Sequence, residues 1–305
     1  MSIEISIVTA TLNRRNMLPR AIASAIAQGT EGVEHIVIDG ASTDGTLELL
    51  ANYPHLQIVS EPDKNLYAGW NKGIARARGQ FVCMLNSDDE LPEGAFDVVR
   101  KLMRGSPDVG MISGPVEIVR SGSEGSPSVH VLDDPAMVAL REQDVGPGIP
   151  LTNGRYFSRK LLEGVGPFDE RYSVISDRQF LLRVRLANIA SVTTRTALYR
   201  YHVHDGSLTL NDRAPSFLHA RQCLAAASDG MAEATDAASR AAYRRWHSWA
   251  AFYLAGLHAR SGRIGTALRT LVAATARDPA WAFRLPPLLA RHLGERSARL
   301  GRPVR

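Results

Sequence analysis

The chain has 305 residues, 45% of them hydrophobic and 22% charged, with a net charge of +5 and only two cysteines; it fits one large or two ordinary globular domains and excludes a disulfide framework. The charge is uneven: residues 1–212 carry 26 acidic against 21 basic side chains, net −5, and residues 213–305 carry 5 against 15, net +10, which marks the tail as a separate electrostatic object. No apolar run reaches the ~18 residues a spanning helix needs, and Met1-Ser-Ile-Glu-Ile-Ser-Ile-Val has no basic leader region, so the expectation is a cytoplasmic protein.

Ile3, Ile5 and Ile7 alternate with Glu4 and Ser6 and predict a first strand ending near Thr9. A loop, Thr9-Ala-Thr-Leu-Asn-Arg-Arg15, leads to a helix capped by Asn16, with Leu18, Ile22 and Ile26 repeating every four positions and a stop at Gly29. The strand His35–Asp39, the loop Gly40–Gly45 and a helix carrying Leu47, Leu49 and Leu50 follow. A third strand, Leu56–Ser60, precedes a helix through Trp70 and Ile74 that ends at Gly79. Strand alternating with helix is the rhythm of a parallel sheet.

Phe81-Val-Cys-Met-Leu-Asn-Ser-Asp-Asp-Glu is an apolar run that meets three carboxylates. Its first half reads as a fully buried strand, which places Asp88 and Asp89 at a strand exit, where open α/β sheets bind ligands. Carboxylates this close need a cation or hydrogen-bond donors, and Mg²⁺ or Mn²⁺, which takes one or two of them together with phosphate oxygens, fits; a solvated turn before the helix after Pro92 is the alternative. Asp39 occupies the same slot on its own strand and suits hydrogen bonds from a base or ribose, or serves as a plain turn carboxylate. No G-x-G-x-x-G follows the first strand and no G-x-x-x-x-G-K-[ST] occurs, which removes the best support for hydride transfer and P-loop phosphoryl transfer.

Ile7-Val-Thr-Ala-Thr-Leu-Asn13, Ile36-Val-Ile-Asp-Gly-Ala-Ser-Thr-Asp-Gly45, Glu61-Pro-Asp-Lys-Asn-Leu-Tyr-Ala-Gly-Trp-Asn-Lys-Gly73 and Leu85-Asn-Ser-Asp-Asp89 together resemble the family 2 glycosyltransferases of the GT-A fold, over roughly residues 3–210. The resemblance implies inverting transfer of a sugar from a nucleotide diphosphate donor, with Mg²⁺ or Mn²⁺ on the diphosphate. It implies that Thr9, Asn13 and Arg14 line the nucleotide, that Asp39 meets the base with Ser42 and Asp44 beside it, and that Asp63, Tyr67, Asn71 and Lys72 belong to the donor site. Tyr67 and Asn71 are one helical turn apart and share a face; ordinary packing for Tyr67 and a solvated position for Lys72 are the alternatives.

Where many members have Asp-x-Asp, this chain has Asn86-Ser87-Asp88 with Asp89 next. Asn86 offers a neutral oxygen or a ribose hydrogen bond, Ser87 lies between, and Asp88 is the first-choice metal ligand with Asp89 second. Further strands are expected at Asp108–Ser113 and Val116–Val119, a flexible loop from Ser121 and a break at Gly146–Pro150. Ser176-Asp-Arg-Gln-Phe-Leu-Leu-Arg183 resembles the family's acidic acceptor-side motif at a helix start, which makes Asp177 the general base; the same residues suit an N-cap. The paired carboxylates of a glycosidase would not explain the donor-side motifs. Tyr199–Thr209 resembles the closing segment, with His204 toward the metal or diphosphate; His202 and His204 share one side of a strand, which a polar strand face also explains.

From Pro215 the chain reads as helix, broken at Gly230, Ser261-Gly-Arg263, Asp278-Pro279 and Pro286-Pro287. Residues 251–279 resemble one hairpin of a tetratricopeptide-like repeat, too few to stand alone. Trp281, Phe283, Leu285 and Leu288 among arginines form a basic amphipathic surface, suited to an anionic membrane, a homodimer contact or solvent. The expectation is a GT-A-type α/β domain with a mostly parallel sheet and helices on both faces (1–212, nucleotide-sugar half 1–114 and acceptor side 115–212), followed by an α-helical extension (213–305). It would act as an inverting glycosyltransferase on a glycan or lipid-linked acceptor for cell-surface polysaccharide, without a nucleic-acid partner. The rivals are a glycan-binding module without turnover and a nucleotidyltransferase.

Overall fold

The computed structural model describes residues 2–120, 127–140, 151–204 and 216–280. They form two compact units, one from the residues up to Ala139 with Leu151–His204, the other chiefly the later helices.

In the first unit β1 (Ile5–Thr11), α1 (Leu18–Ile26), β2 (Val33–Asp39), α2 (Thr46–Leu50), β3 (Leu56–Ser60), α3 (Leu66–Arg76) and β4 (Phe81–Met84) alternate as the hydrophobic pattern predicts. After α4 (Ala95–Gly105) come β5 (Met111–Ser113), β6 (Val116–Arg120), β7 (Ser128–Leu132) and the short helix α5 (Pro135–Val138). The remaining elements are β8 (Arg155–Ser158), α6 (Arg159–Val165), α7 (Ser176–Leu186), β9 (Ser191–Thr193) and β10 (Tyr199–Val203).

Seven strands make one sheet in the order β3-β2-β1-β4-β8-β5-β9, parallel except for β8, which runs antiparallel to both neighbours. β4 is its middle strand. A second sheet has the order β10-β6-β7 and is bound to the segment after β4 by a bridge between Glu90 and Arg200.

Register distributes the faces. Thr9 lies opposite Val37 in β2, and Val37 packs with Leu18 and Ile22 of α1 and Leu50 of α2. On the other face α3 comes so close to β1 that a Cβ at Gly73 would sit 2.3 Å from Val8 Cγ1, and one at Gly69 would sit 2.8 Å from Ala10 Cβ. Side chains alternate along a strand, so α1 and α2 cover one face and α3 the other.

Some local expectations are corrected. β1 runs on to Thr11, because Thr9 is fully buried with its hydroxyl 2.9 Å from His35 Nε2. The N-cap of α1 is Met17 rather than Asn16, with no side-chain cap bond, and Pro19 starts the turn instead. α3 ends at Arg76, before Gly79.

In the second unit α8 (Ser216–Glu233), α9 (Ala237–Arg260) and α10 (Ile264–Arg277) follow one another. The break expected at Gly230 does not occur: Gly230 lies inside α8, and a Cβ there would stand 2.2 Å from the Tyr243 ring of α9. Asp236 caps α9 through Ser239 N at 2.8 Å. The turn at Ser261–Arg263 is as expected, with Gly262 at φ +73. Ala251, Ala274, Leu224 and Leu271 pack the hairpin. Among the described residues no helix is long and apolar enough to cross a membrane. The Ser121 loop, the Gly146–Pro150 break, Pro286-Pro287 and the basic amphipathic surface from Trp281 lie outside the described residues.

Candidate active site

The exits of β1 and β2 are joined by polar side chains. Asp39, fully buried at the end of β2, accepts from Ser42 N at 3.1 Å, from the Ser42 hydroxyl and from Ser60 Oγ at 2.7 Å. Asn13, held at φ +54, donates its N–H to Ser42 Oγ at 2.8 Å, and its own Oδ1 accepts from Thr43 N at 2.8 Å. Asp44 accepts from Arg15 N and Thr46 N, while Arg14 N donates to Thr46 Oγ1 at 3.1 Å. Asn13, Arg14, Asp39, Ser42 and Asp44 are therefore brought together in one loop pair. Thr9 is not, since it points into the core.

Beyond β4 the adjacent carboxylates separate. Asp88 Oδ2 lies 2.9 Å from His204 Nε2, a residue 116 positions later, and its main-chain oxygen accepts from Arg20. Asp89 turns inward. It is 1% exposed and accepts from Tyr199 Oη at 2.8 Å, Asn86 Nδ2 at 2.9 Å and His202 N at 2.9 Å. Burial first, then the charge of Asp88, pushes its carboxyl up to about 7. Both of its oxygens accept hydrogen bonds from the protein, and through Tyr199 and His202 Asp89 ties β10 to the β4 exit. Ser87, between Asn86 and Asp88 in the chain, is buried.

His202 faces the same turn as His204, its Nε2 3.4 Å from Glu90 Oε2. Glu90 also meets Arg200 at 3.1 Å and Arg20 at 3.4 Å. Among the described residues no three His, Cys, Asp or Glu side chains cluster as a metal cage. Asp88 and His204 are two donors side by side, and the buried Asn86 Oδ1 has no hydrogen-bond partner. A hard cation that draws its other oxygens from phosphates and water fits such a half-site.

α3 faces the segment that leads into α7. Tyr67 and Asn71 share a face as expected, but Asn71 is not directed at a donor: its Nδ2 donates to Phe168 O and Glu170 Oε1, both at 2.9 Å, and its Oδ1 accepts from Phe168 N at 2.9 Å. Asn65, which caps α3, donates to Glu170 O at 3.0 Å. Lys72 is held by Asp63 at 2.7 Å and Glu61 at 2.8 Å, and these bonds, Asp63 foremost, raise its pKa. Lys72 and Asp63 thus neutralise each other.

Asp177 stands in the first turn of α7, after an N-cap that is Ile175 without a side-chain bond. Asp177 is therefore not the N-cap residue itself, although it is an acid in the first turn and accepts from a first-turn N–H. Its Oδ1 accepts from Tyr67 Oη at 3.1 Å and Arg178 N at 2.8 Å. Burial raises its pKa, countered by the Arg178 charge and these bonds. The neighbouring acids are engaged, Asp169 with Arg171 at 2.7 Å and Glu170 with Asn71.

Tyr199 and Arg20 were not singled out by sequence. The alternation Tyr199, Tyr201, Val203 along β10 is the signal for Tyr199, since a buried tyrosine needs a partner for its hydroxyl. Arg20 carries no signal, because a basic residue on an amphipathic helix reads as solvated.

A family model described as Glycosyl transferase family 2 matches residues 6–164. The chain belongs to this family. An uncharacterized glycosyltransferase of Mycobacterium tuberculosis is 29% identical over 202 residues, 65% of this chain and 74% of the relative. A putative teichuronic acid biosynthesis glycosyltransferase of Bacillus subtilis is 30% identical over 91 residues, 28% of this chain and 36% of that one. Among solved structures, Staphylococcus aureus TarS 1–349 in complex with UDP-GlcNAc superposes with a TM-score of 0.64 at 15% identity, covering 99% of this chain and 93% of that one. A mannosyltransferase of Pyrobaculum calidifontis in complex with GDP-Man and Mn²⁺ gives 0.57 at 17%, covering 95% and 87%. At these identities the structures establish the fold, GT-A, and membership of family 2 establishes a glycosyltransferase.

Proposed function

We propose that this family 2 glycosyltransferase is an inverting enzyme that moves a sugar from a nucleotide diphosphate donor to a hydroxyl of a glycan or lipid-linked acceptor in cell-surface polysaccharide synthesis, on the cytoplasmic side of the membrane. The observation that carries the reading is at Asp177: both hydrogen bonds it receives among the described residues fall on Oδ1, which leaves Oδ2 to take a proton. In the step, an acceptor oxygen bonds to the anomeric carbon as the bond to the diphosphate breaks; the proton passes to Asp177 Oδ2 and the electron pair leaves with the diphosphate. Burial that raises the Asp177 pKa makes it a stronger base.

Asn13, Ser42 and Asp39 would receive the nucleoside at the β1–β2 exits, with Arg14 and Asp44 shaping the loop. Asp88 and His204 would hold Mg²⁺ or Mn²⁺, which when bound neutralises diphosphate charge. The printed names of relatives in teichuronic acid and succinoglycan biosynthesis support a polysaccharide product, and UDP-GlcNAc and GDP-Man in the solved neighbours support that class of donor.

A thermal-shift screen of UDP- and GDP-sugars with and without Mn²⁺ tests the reading, because a donor at about 100 times its Kd stabilises the fold by roughly 2.7 kcal/mol. One donor should raise Tm in a Mn²⁺-dependent way, and Asp88→Asn should remove the Mn²⁺ dependence with the fold intact. An unchanged Mn²⁺ response in Asp88→Asn would take Asp88 out of the site.

A further inference from the structure

We propose that Tyr67 is a positioning residue for Asp177: its hydroxyl, carried on α3, holds the acceptor-side carboxylate in the orientation that proton transfer needs. This rests on the assignment of Asp177 as base. The two side chains are 110 positions apart and meet at 3.1 Å.

The ring of Tyr67 is 4% exposed and wedged between Trp70, edge-on at 5.5 Å, and Phe168, stacked at 5.7 Å; Phe168 in turn lies 4.3 Å from Phe180 of α7. Asn71, one turn along α3, clamps both main-chain groups of Phe168. The hydroxyl therefore has no freedom to leave Asp177 unless α3, the Phe168 segment and α7 come apart together. Burial holds the Tyr67 pKa well above its ordinary value, so it remains a donor at every working pH.

A donor on Oδ1 does two things. It fixes the plane of the carboxylate, so that Oδ2 is presented to one direction, and it favours the charged form against the burial that opposes it. Tyr67 was expected to contact the sugar donor; the geometry assigns it to the base instead. It also makes α3, whose N-terminal approach carries Asp63, the element through which donor and acceptor sides share one frame.

Tyr67→Phe keeps the ring and its packing and removes only the oxygen. Two measurements test the proposal. Carboxyl ¹³C NMR of Asp177, assigned with Asp177→Asn, should show its titration moved upward by about one pH unit in Tyr67→Phe, the size of a lost charge-assisted hydrogen bond. The acidic limb of the pH profile for turnover of the donor selected by the thermal-shift screen should move up with it, with donor affinity unchanged. A side chain that only packs would leave both titrations where they are. Unchanged titrations overturn the proposal even if Asp177→Asn abolishes transfer, whereas full transfer by Asp177→Asn overturns the base assignment and the proposal together.

Discussion

Removing the Tyr199 hydroxyl should destabilise the first unit in a pH-dependent way. In Tyr199→Phe the N–H of Asn86 loses its acceptor at 3.0 Å in a part-buried turn, and the buried Asp89 Oδ2 loses a donor at 2.8 Å. An unsatisfied buried donor costs about 1–3 kcal/mol and a hydrogen bond to a charged group is worth about 1.5–3; with partial relaxation we expect about 3 kcal/mol where Asp89 is ionised. Because its folded pKa, about 7, lies above the unfolded value, Asp89 favours folding fully below about pH 4, and that contribution is lost as pH rises through 7. The mutation raises the folded pKa further. Its cost should therefore be largest near pH 8.5 and fall to about 1.5 kcal/mol near pH 5.5, where Asp89 is protonated in both proteins and only neutral bonds are missing. Scanning calorimetry at the two pH values should give a Tm drop of roughly 6–12 °C at the higher pH and about half that at the lower. An equal loss at both would mean that Asp89 does not titrate here, and no loss would mean that Tyr199 does not hold the β4 exit.

Asp177→Asn should lower transfer by about 10² to 10⁴ with donor affinity unchanged, and should cost little stability, because the amide oxygen can still accept from Tyr67 Oη and Arg178 N; near-normal transfer would move the base elsewhere. Gly230→Ala gains roughly 1 kcal/mol of helix propensity but drives a methyl into the Tyr243 ring, and overpacking costs about 1–3 kcal/mol; the net should be a lower Tm, and a raised one would show that α8 and α9 are looser than their contact implies.

The sheet was legible because apolar runs punctuated by polar turns carry a periodicity that needs no partner to be read: Phe81–Met84 is a buried strand from its own residues, and Asp39 and Asp88 at strand exits follow from that. The roles of individual side chains were less legible wherever they depend on residues far along the chain. Asp88 and Asp89 are equivalent in sequence and opposite in environment, and what separates them is Tyr199 and His202, both over 100 positions away. Asn71 matches a donor-side motif, yet its amide is consumed by Phe168 and Glu170. Thr9 looked like the start of a loop because threonine is polar, whereas His35 on the adjacent strand makes it a core residue. Gly230 reads as a helix break in the sequence, whereas the Tyr243 ring occupies the place of its missing Cβ.

The position of β8 has a consequence for how the polypeptide reaches its native state. β3, β2, β1 and β4 come from one continuous stretch and pair with one another locally, but the outer side of β4 pairs, among the described residues, with Phe157 and Ser158, some seventy residues later. Until that segment has left the ribosome, Phe81-Val-Cys-Met is an apolar edge with unpaired main-chain groups, the kind of surface that templates aggregation. Synthesis that stalls between these two points leaves four paired strands and one sticky border, so chaperone demand should peak there and fall once β8 has been inserted.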